Sequence, residues 1–213
     1  MRRVRVKFCG FKRADDIAIA AQLGVDAVGL VFVPGSRRAV DIDEARAALV
    51  AAPPFVARVG LFMDSDAAHV RAVLGGVALD LLQFHGRESP AFCASFGLPY
   101  LKAIPMGDMP DLAAESARYG AARGLLLDAH QSGQSGGSGH AFDWSLITPS
   151  LASRIVLAGG LKPETVAEAI SQVRPYAVDV SSGIESTPGV KSAERMRAFI
   201  DEVERASREL VGG

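Results

Sequence analysis

Short runs of β-branched and other apolar residues alternate along the chain with alanine-rich stretches whose apolar positions recur every three or four residues. The first pattern predicts strands buried on both faces, and the second predicts amphipathic helices that cover them. Strands are expected to begin near Val4, Ala27, Ala57, Leu79, Pro99, Gly124, Ile155 and Ala177. Helices are expected over Ala14–Leu23, Asp43–Ala51, Asp66–Leu74, Pro90–Phe96, Leu112–Tyr119, Leu146–Ser150, Pro163–Gln172 and Ser192–Ser207. The seventh has proline near its first position and Glu164 in its first turn, a favourable helix start. Successive strand starts lie roughly 20–30 residues apart, which accommodates one strand, one helix and two loops.

Eight such units without a break in composition predict one α/β domain over residues 1–213 with a parallel sheet. Eight is the count that closes a (β/α)8 TIM barrel, and 213 residues lie near the short end of that fold's range. The competing architecture is an open doubly wound sheet. Its dinucleotide-binding form carries G-x-G-x-x-G after the first strand, where this chain has Cys9-Gly10-Phe11-Lys12. The stretch Gln131–Gly139, QSGQSGGSG, is expected to be a mobile loop on the barrel rim, because strand–helix alternation resumes beyond it.

Charge narrows the function. The 23 Lys and Arg nearly balance 24 Asp and Glu, so no global positive field is available for nucleic acid or an anionic membrane. Any anion site must be local. No window approaches the roughly 18 apolar residues of a membrane span, and the N-terminal MRRVRVKFCGF lacks the apolar run of a secretory signal. Cys9 and Cys93 make neither a disulfide framework nor a zinc spacing. A soluble cytoplasmic protein is the expectation.

In a barrel the active site forms at the C-terminal ends of the strands, and polar residues gather there. The first strand ends Lys7-Phe8-Cys9-Gly10, the fourth Gln83-Phe84-His85-Gly86, the sixth Leu126-Leu127-Asp128 and the eighth Asp179-Val180-Ser181-Ser182-Gly183. Lys7 lies two residues before Cys9, hence on the same strand face, where a cation would favour thiolate. Asp128 follows an apolar strand. A carboxyl at an apolar mouth is expected to have a raised pKa, which suits a general acid. Gln83, His85 and Asp179 are read as polar substrate contacts. Cys93, in Ala91-Phe92-Cys93-Ala94, is expected to be helix packing.

Gly159-Gly160 and Ser181-Ser182-Gly183 end the seventh and eighth strands. Loops at those two places make the common phosphate site of the barrel fold, with backbone N–H groups as donors. A phosphorylated substrate is therefore expected. In the long loop after the second strand, Arg37 and Arg38 would ordinarily form a solvated face, but a planar guanidinium at the barrel mouth could instead clamp a carboxylate at two points.

The chain resembles the phosphoribosylanthranilate isomerase family of tryptophan biosynthesis, from Val4 to about Val203. The resemblance rests on Lys7-Phe8-Cys9-Gly10, Gln83-Phe84-His85-Gly86, Leu125–Asp128 with the glycine loop, Phe142-Asp143-Trp144, Leu157–Leu161, Val178–Glu185 and Pro188-Gly189-Val190-Lys191. It implies a (β/α)8 barrel with no cofactor and no metal, acting on a small phosphorylated molecule as a monomer or weak homodimer. The implied reaction is an Amadori rearrangement with Cys9 as general base and Asp128 as general acid. Arg38 would meet the anthranilate carboxylate while Arg37 faces solvent, and the last two glycine–serine loops would hold phosphate. Phe8 and Phe84 replace the usual isoleucine and leucine, and both are expected to point outward into helix packing. Gly35-Ser36-Arg37-Arg38 replaces a lysine-serine-proline-arginine, and His140 a lysine. The alternatives are the analogous isomerase of histidine biosynthesis, whose first strand ends in aspartate rather than cysteine, an enzyme using both substrates, and a non-catalytic phosphate-binding barrel.

Overall fold

A computed structural model describes residues 3–131 and 142–212. The stretch expected to be mobile, 131–139, lies outside the described residues from 132 onward, as does His140. Eight parallel strands close on one another in sequence order: β1 (Arg5–Cys9), β2 (Ala27–Val31), β3 (Ala57–Phe62), β4 (Leu81–Phe84), β5 (Tyr100–Pro105), β6 (Gly124–Asp128), β7 (Ile155–Leu157) and β8 (Ala177–Val180). The expected (β/α)8 barrel is the observed fold. Helices α1 (Ala14–Gln22), α2 (Ile42–Leu49), α3 (Ala67–Gly76), α4 (Pro90–Ala94), α5 (Leu112–Arg118), α6 (Pro149–Ala152), α7 (Pro163–Val173) and α8 (Ala193–Gly212) follow the strands.

The period of two along each strand sorts side chains between barrel axis and helix layer. Val6 and Phe8, Leu82 and Phe84, Leu125 and Leu127, and Val178 and Val180 face outward into the large apolar layer beneath the helices. Phe8 meets Phe199 of α8 edge-on at 5.8 Å, and Phe84 packs against Phe92 and Phe96, so both expected outward positions hold. Fully burying one such side chain contributes roughly 1.5–3 kcal/mol. The alternate residues turn inward. Leu101, Ala103, Leu126, Val156, Ala158 and Ala177 form a separate apolar plug within the barrel. Beyond it, the next inward positions are Cys9, Gln83, His85, Asp128 and Asp179.

Local chemistry explains the helix starts. Asp41 caps α2 reciprocally with Glu44, accepting from its N–H at 2.8 Å while the Glu44 carboxylate accepts from the Asp41 N–H at 2.9 Å. Asp66 and Asp111 cap α3 and α5. The helix expected over Leu146–Ser150 is instead a 3-10 turn, Trp144–Leu146, followed by the short α6. Pro149 explains the break: it lacks an N–H and drives Thr148 to extended backbone, with ψ of 141°. A small hairpin that the periodicity did not announce, β9 (Glu185–Thr187) and β10 (Val190–Lys191), follows β8. Its turn needs the left-handed φ of +87° at Gly189.

Candidate active site

The inward-facing strand ends line one cavity at the C-terminal mouth of the barrel. It is walled by Cys9, Val31, Leu61, Met63, Gln83, His85, Asp128, Asp179 and Ser181, with Ser36 and Arg38 from the loop after β2. The structure thus brings together Cys9, Arg38, Gln83, His85, Asp128, Asp179 and Ser181. Gly159, Gly160, Ser182 and Gly183 are half-buried in the adjoining loops.

Cys9 ends β1, paired with Gly29 of β2. A methyl group at Gly29 would stand 2.7 Å from the Cys9 sulfur and 3.2 Å from Lys7 Nζ, so this glycine makes the room that both side chains occupy. The expectation that Lys7 would leave Cys9 as thiolate needs correction. Burial pushes the Cys9 thiol above its ordinary pKa, and the neighbouring Lys7 and Lys191 oppose this without cancelling it. Lys7 is also committed elsewhere, donating to Asp179 Oδ1 at 2.9 Å in a buried ion pair. Asp179 therefore faces the cavity as the partner of Lys7 and not as a free carboxylate.

Asp128 differs from expectation in a second way. Burial does push its carboxyl up, but the rings of His130 and His85 outweigh burial and hold it well below the usual carboxylate range. The mouth is not apolar at this point. His85 Nε2 lies 3.3 Å from one carboxylate oxygen and His130 Nδ1 lies 3.5 Å from the other. These are charge contacts without hydrogen-bond geometry, for neither nitrogen has a hydrogen-bond partner among the described residues. The two rings stack with centroids 4.7 Å apart. His130 was missed in the sequence, although it stands two residues beyond Asp128, where extended backbone returns a side chain to the same face.

Gln83 Nε2 lies 3.1 Å from His85 Nδ1 and orients that ring. Below, a buried ion pair braces the loop after β4: Lys102 Nζ meets Glu88 Oε2 at 2.9 Å and also donates to the carbonyls of Phe84 and Gly86. Glu88 in turn accepts from the N–H groups of Asp64 and Gly86. Neither member of this pair was singled out in the sequence. Buried Cys93 lies in α4 as expected, its thiol pushed up to about 11 by burial.

Arg38 is not a free clamp. Its guanidinium donates to Glu185 through Nε and Nη2, both at 2.8 Å. Glu185 also accepts from Lys191 Nζ at 2.9 Å, and that ammonium caps the carbonyls of Cys9 at 2.6 Å and Ser181 at 3.1 Å. Burial pushes the Glu185 carboxyl up, but its two cations and the Gly189 N–H hold it below its ordinary value. The hairpin thus ties the end of β1 to Arg38. Arg37, by contrast, is exposed as expected.

The two glycine loops have the backbone that close approach requires. Gly159 and Gly160 both take left-handed φ, +78° and +68°. A side chain on Gly159 would collide with the Ala129 backbone, and one on Gly183 with the Leu161 carbonyl. Ser182–Ile184 forms a 3-10 turn, and Ser181 Oγ donates to the Cys9 carbonyl at 3.0 Å.

A closed parallel barrel with its titratable groups gathered at the strand ends defines the class of (β/α)8-barrel enzymes. The family model described as N-(5'phosphoribosyl)anthranilate (PRA) isomerase matches residues 6–202. The N-(5'-phosphoribosyl)anthranilate isomerase of Azotobacter vinelandii is 50% identical over 206 residues, covering 97% of this chain and all of that protein. The crystal structure of phosphoribosyl anthranilate isomerase from Thermus thermophilus superposes with a TM-score of 0.84 at 40% identity, covering 95% of this chain and 99% of that one. A phosphoribosyl anthranilate isomerase in complex with reduced 1-(o-carboxyphenylamino)-1-deoxyribulose 5-phosphate superposes with a TM-score of 0.80 at 37% identity, with the same coverage. The chain belongs to the N-(5'-phosphoribosyl)anthranilate isomerase family.

Proposed function

We propose that this isomerase converts N-(5-phosphoribosyl)anthranilate to 1-(2-carboxyphenylamino)-1-deoxyribulose 5-phosphate in tryptophan biosynthesis, with Cys9 and Asp128 as its base and acid. The observation that carries the reading is the shared mouth of Cys9 and Asp128. They end β1 and β6, three strands apart around the closed barrel, and both line one cavity. Asp128, held low by His130 and His85, acts from its minor protonated form: it gives that proton to the furanose ring oxygen, and the C1′–O bond opens to a Schiff base on the anthranilate nitrogen. The Cys9 thiolate then takes the proton from C2′. The electrons left behind form the enolamine, which tautomerises to the ketone. Each such proton transfer is worth roughly 10²–10⁴-fold.

The rest of the site serves placement. Gly159, Gly160, Ser181, Ser182 and Gly183 hold the phosphate, largely through backbone N–H groups that add no formal charge. Arg38, oriented by Glu185, offers its remaining N–H groups to the anthranilate carboxylate. Gln83, His85 and Asp179 bound the sugar between them.

The test is an assay with purified protein in which phosphoribosyl anthranilate is generated in situ and its loss is followed. Rapid enzyme-dependent loss supports the reading. A phosphate-binding barrel without activity would bind the substrate and leave its decay unchanged. An enzyme of the histidine pathway would turn over that pathway's aminoaldose in its place.

A further inference from the structure

We propose that His85, Asp128 and His130 form a binding site for a borderline divalent transition-metal ion such as zinc, and that the ion, once bound, blocks catalysis. Among the described residues, these three form the one group of His, Cys, Asp or Glu whose ligand atoms all lie within 4.8 Å of one another, and all three are buried. The nitrogens that face the carboxylate lie 3.3 and 3.5 Å from its oxygens. Four ligands about 2.1 Å from a zinc ion stand about 3.4 Å apart along each edge of a tetrahedron. The two contacts go to opposite oxygens of the carboxylate, and each is close in length to one edge of such a tetrahedron.

A second observation points the same way. Five buried side-chain polar atoms lack a hydrogen-bond partner among the described residues, and Gln83 Oε1, His85 Nε2 and His130 Nδ1 are three of them. An ion would satisfy both nitrogens. A half-turn of the Gln83 amide then places its orphaned oxygen on the His85 Nδ1–H, 3.1 Å away in the present pairing. Metal-bound imidazoles commonly donate their other N–H to such an oxygen, which fixes the ring. Two imidazoles and a carboxylate without a thiolate favour zinc, nickel or cobalt over magnesium or calcium.

His85 and Asp128 both face the substrate cavity, so a fourth, open position on the ion would point into it, as in three-ligand zinc sites. With Asp128 held by the ion, no carboxyl remains to protonate the ring oxygen. Binding follows from the geometry alone; inhibition rests on the reading of Asp128 as the acid.

The experiment titrates the full chain, stripped with chelator, with Co2+ and with Zn2+. One equivalent of Co2+ should give the visible absorption of a low-symmetry site without a thiolate charge-transfer band, and Zn2+ should displace it. His130→Gln and His85→Asn should each weaken Zn2+ binding by about ten-fold or more, measured against a chromophoric chelator. His69→Gln, on α3 outside the barrel, should not. Circular dichroism checks that each variant is folded, and two independent variants guard against the loss of one. Unchanged affinity in both folded variants, or a thiolate band marking Cys9 as ligand, overturns the site. In the assay, Zn2+ should inhibit competitively with substrate and chelator should restore the rate. Binding without inhibition would leave the site standing and refute Asp128 as the acid.

Discussion

Arg38 and Glu185, 147 residues apart, meet through two parallel hydrogen bonds of 2.8 Å. This fork fixes a guanidinium at the rim of the cavity before any substrate arrives. The pairing is asymmetric: the Glu185 side chain is 3% exposed and that of Arg38 17%. Glu185 is thus the buried member, shared with a second buried cation, Lys191.

Glu185→Gln should therefore be costly to the fold. It leaves Lys191 with no counter-charge at its core contact, and breaking a buried pair from one side costs about 3–5 kcal/mol. Urea unfolding should show that loss at pH 7. The sign with pH follows from the depressed Glu185 carboxyl: its contribution is present above the ordinary value of 4.5 and is lost as pH falls toward the folded-state value. The difference between wild type and variant should shrink in acid. A difference that grows in acid would contradict the pairing.

Arg38→Lys keeps the charge and loses the fork that Glu185 orients. Its kcat/KM should fall by about ten-fold or more, since a charge-assisted hydrogen bond is worth roughly 1.5–3 kcal/mol. Arg37→Lys, in solvent, should change little. Equal effects in the two variants would remove Arg38 from the carboxylate site.

The barrel itself was legible because period-two alternation and strand–helix spacing are local properties. They place Lys7 and Cys9, Gln83 and His85, Asp128 and Asp179 on inward faces without reference to any partner. What those groups do to one another was not legible. That Lys7 pairs with Asp179, that Glu185 takes the Arg38 fork and that His130 stacks on His85 depend on approaches between distant strands and loops. Both pKa expectations failed for this reason. The apolar strand before Asp128 gives no sign of the two imidazoles that stand beside it, and the spacing of Lys7 and Cys9 shows neither the Asp179 carboxylate nor the cost of burial.

The raised pKa of Cys9 has a kinetic consequence. The thiolate is the base, so its scarcity at neutral pH should make alkylation of Cys9 by iodoacetamide speed up as pH rises, through an apparent pKa above the roughly 8.5 of a free thiol. The charged groups facing it are Lys7 on its own strand, Asp179 on β8, Lys191 on β10 and Arg38 after β2. kcat/KM should stay level over the same range, because the protonated Asp128 it also requires is lost as the thiolate is gained. An alkylation profile flat from pH 7 to 9 would contradict a thiol held above its ordinary value.

Gly29→Ala tests the steric half of the Cys9 arrangement. The new methyl group would lie 2.7 Å from the sulfur and must displace it. A misplacement of that order should lower kcat by up to about 10²-fold with KM nearly unchanged. A wild-type kcat would show that the thiol's position is not critical.

Turnover requires Cys9 and Asp128 to act as separate base and acid on one substrate. The most direct measurement is the initial rate of phosphoribosyl anthranilate loss for wild type, Cys9→Ser and Asp128→Asn, each folded by circular dichroism and each at saturating substrate. Each variant should lose roughly 10²–10⁴-fold in kcat while still binding substrate. A folded variant that keeps near-wild-type kcat would remove that residue from the chemistry and contradict the proposed mechanism.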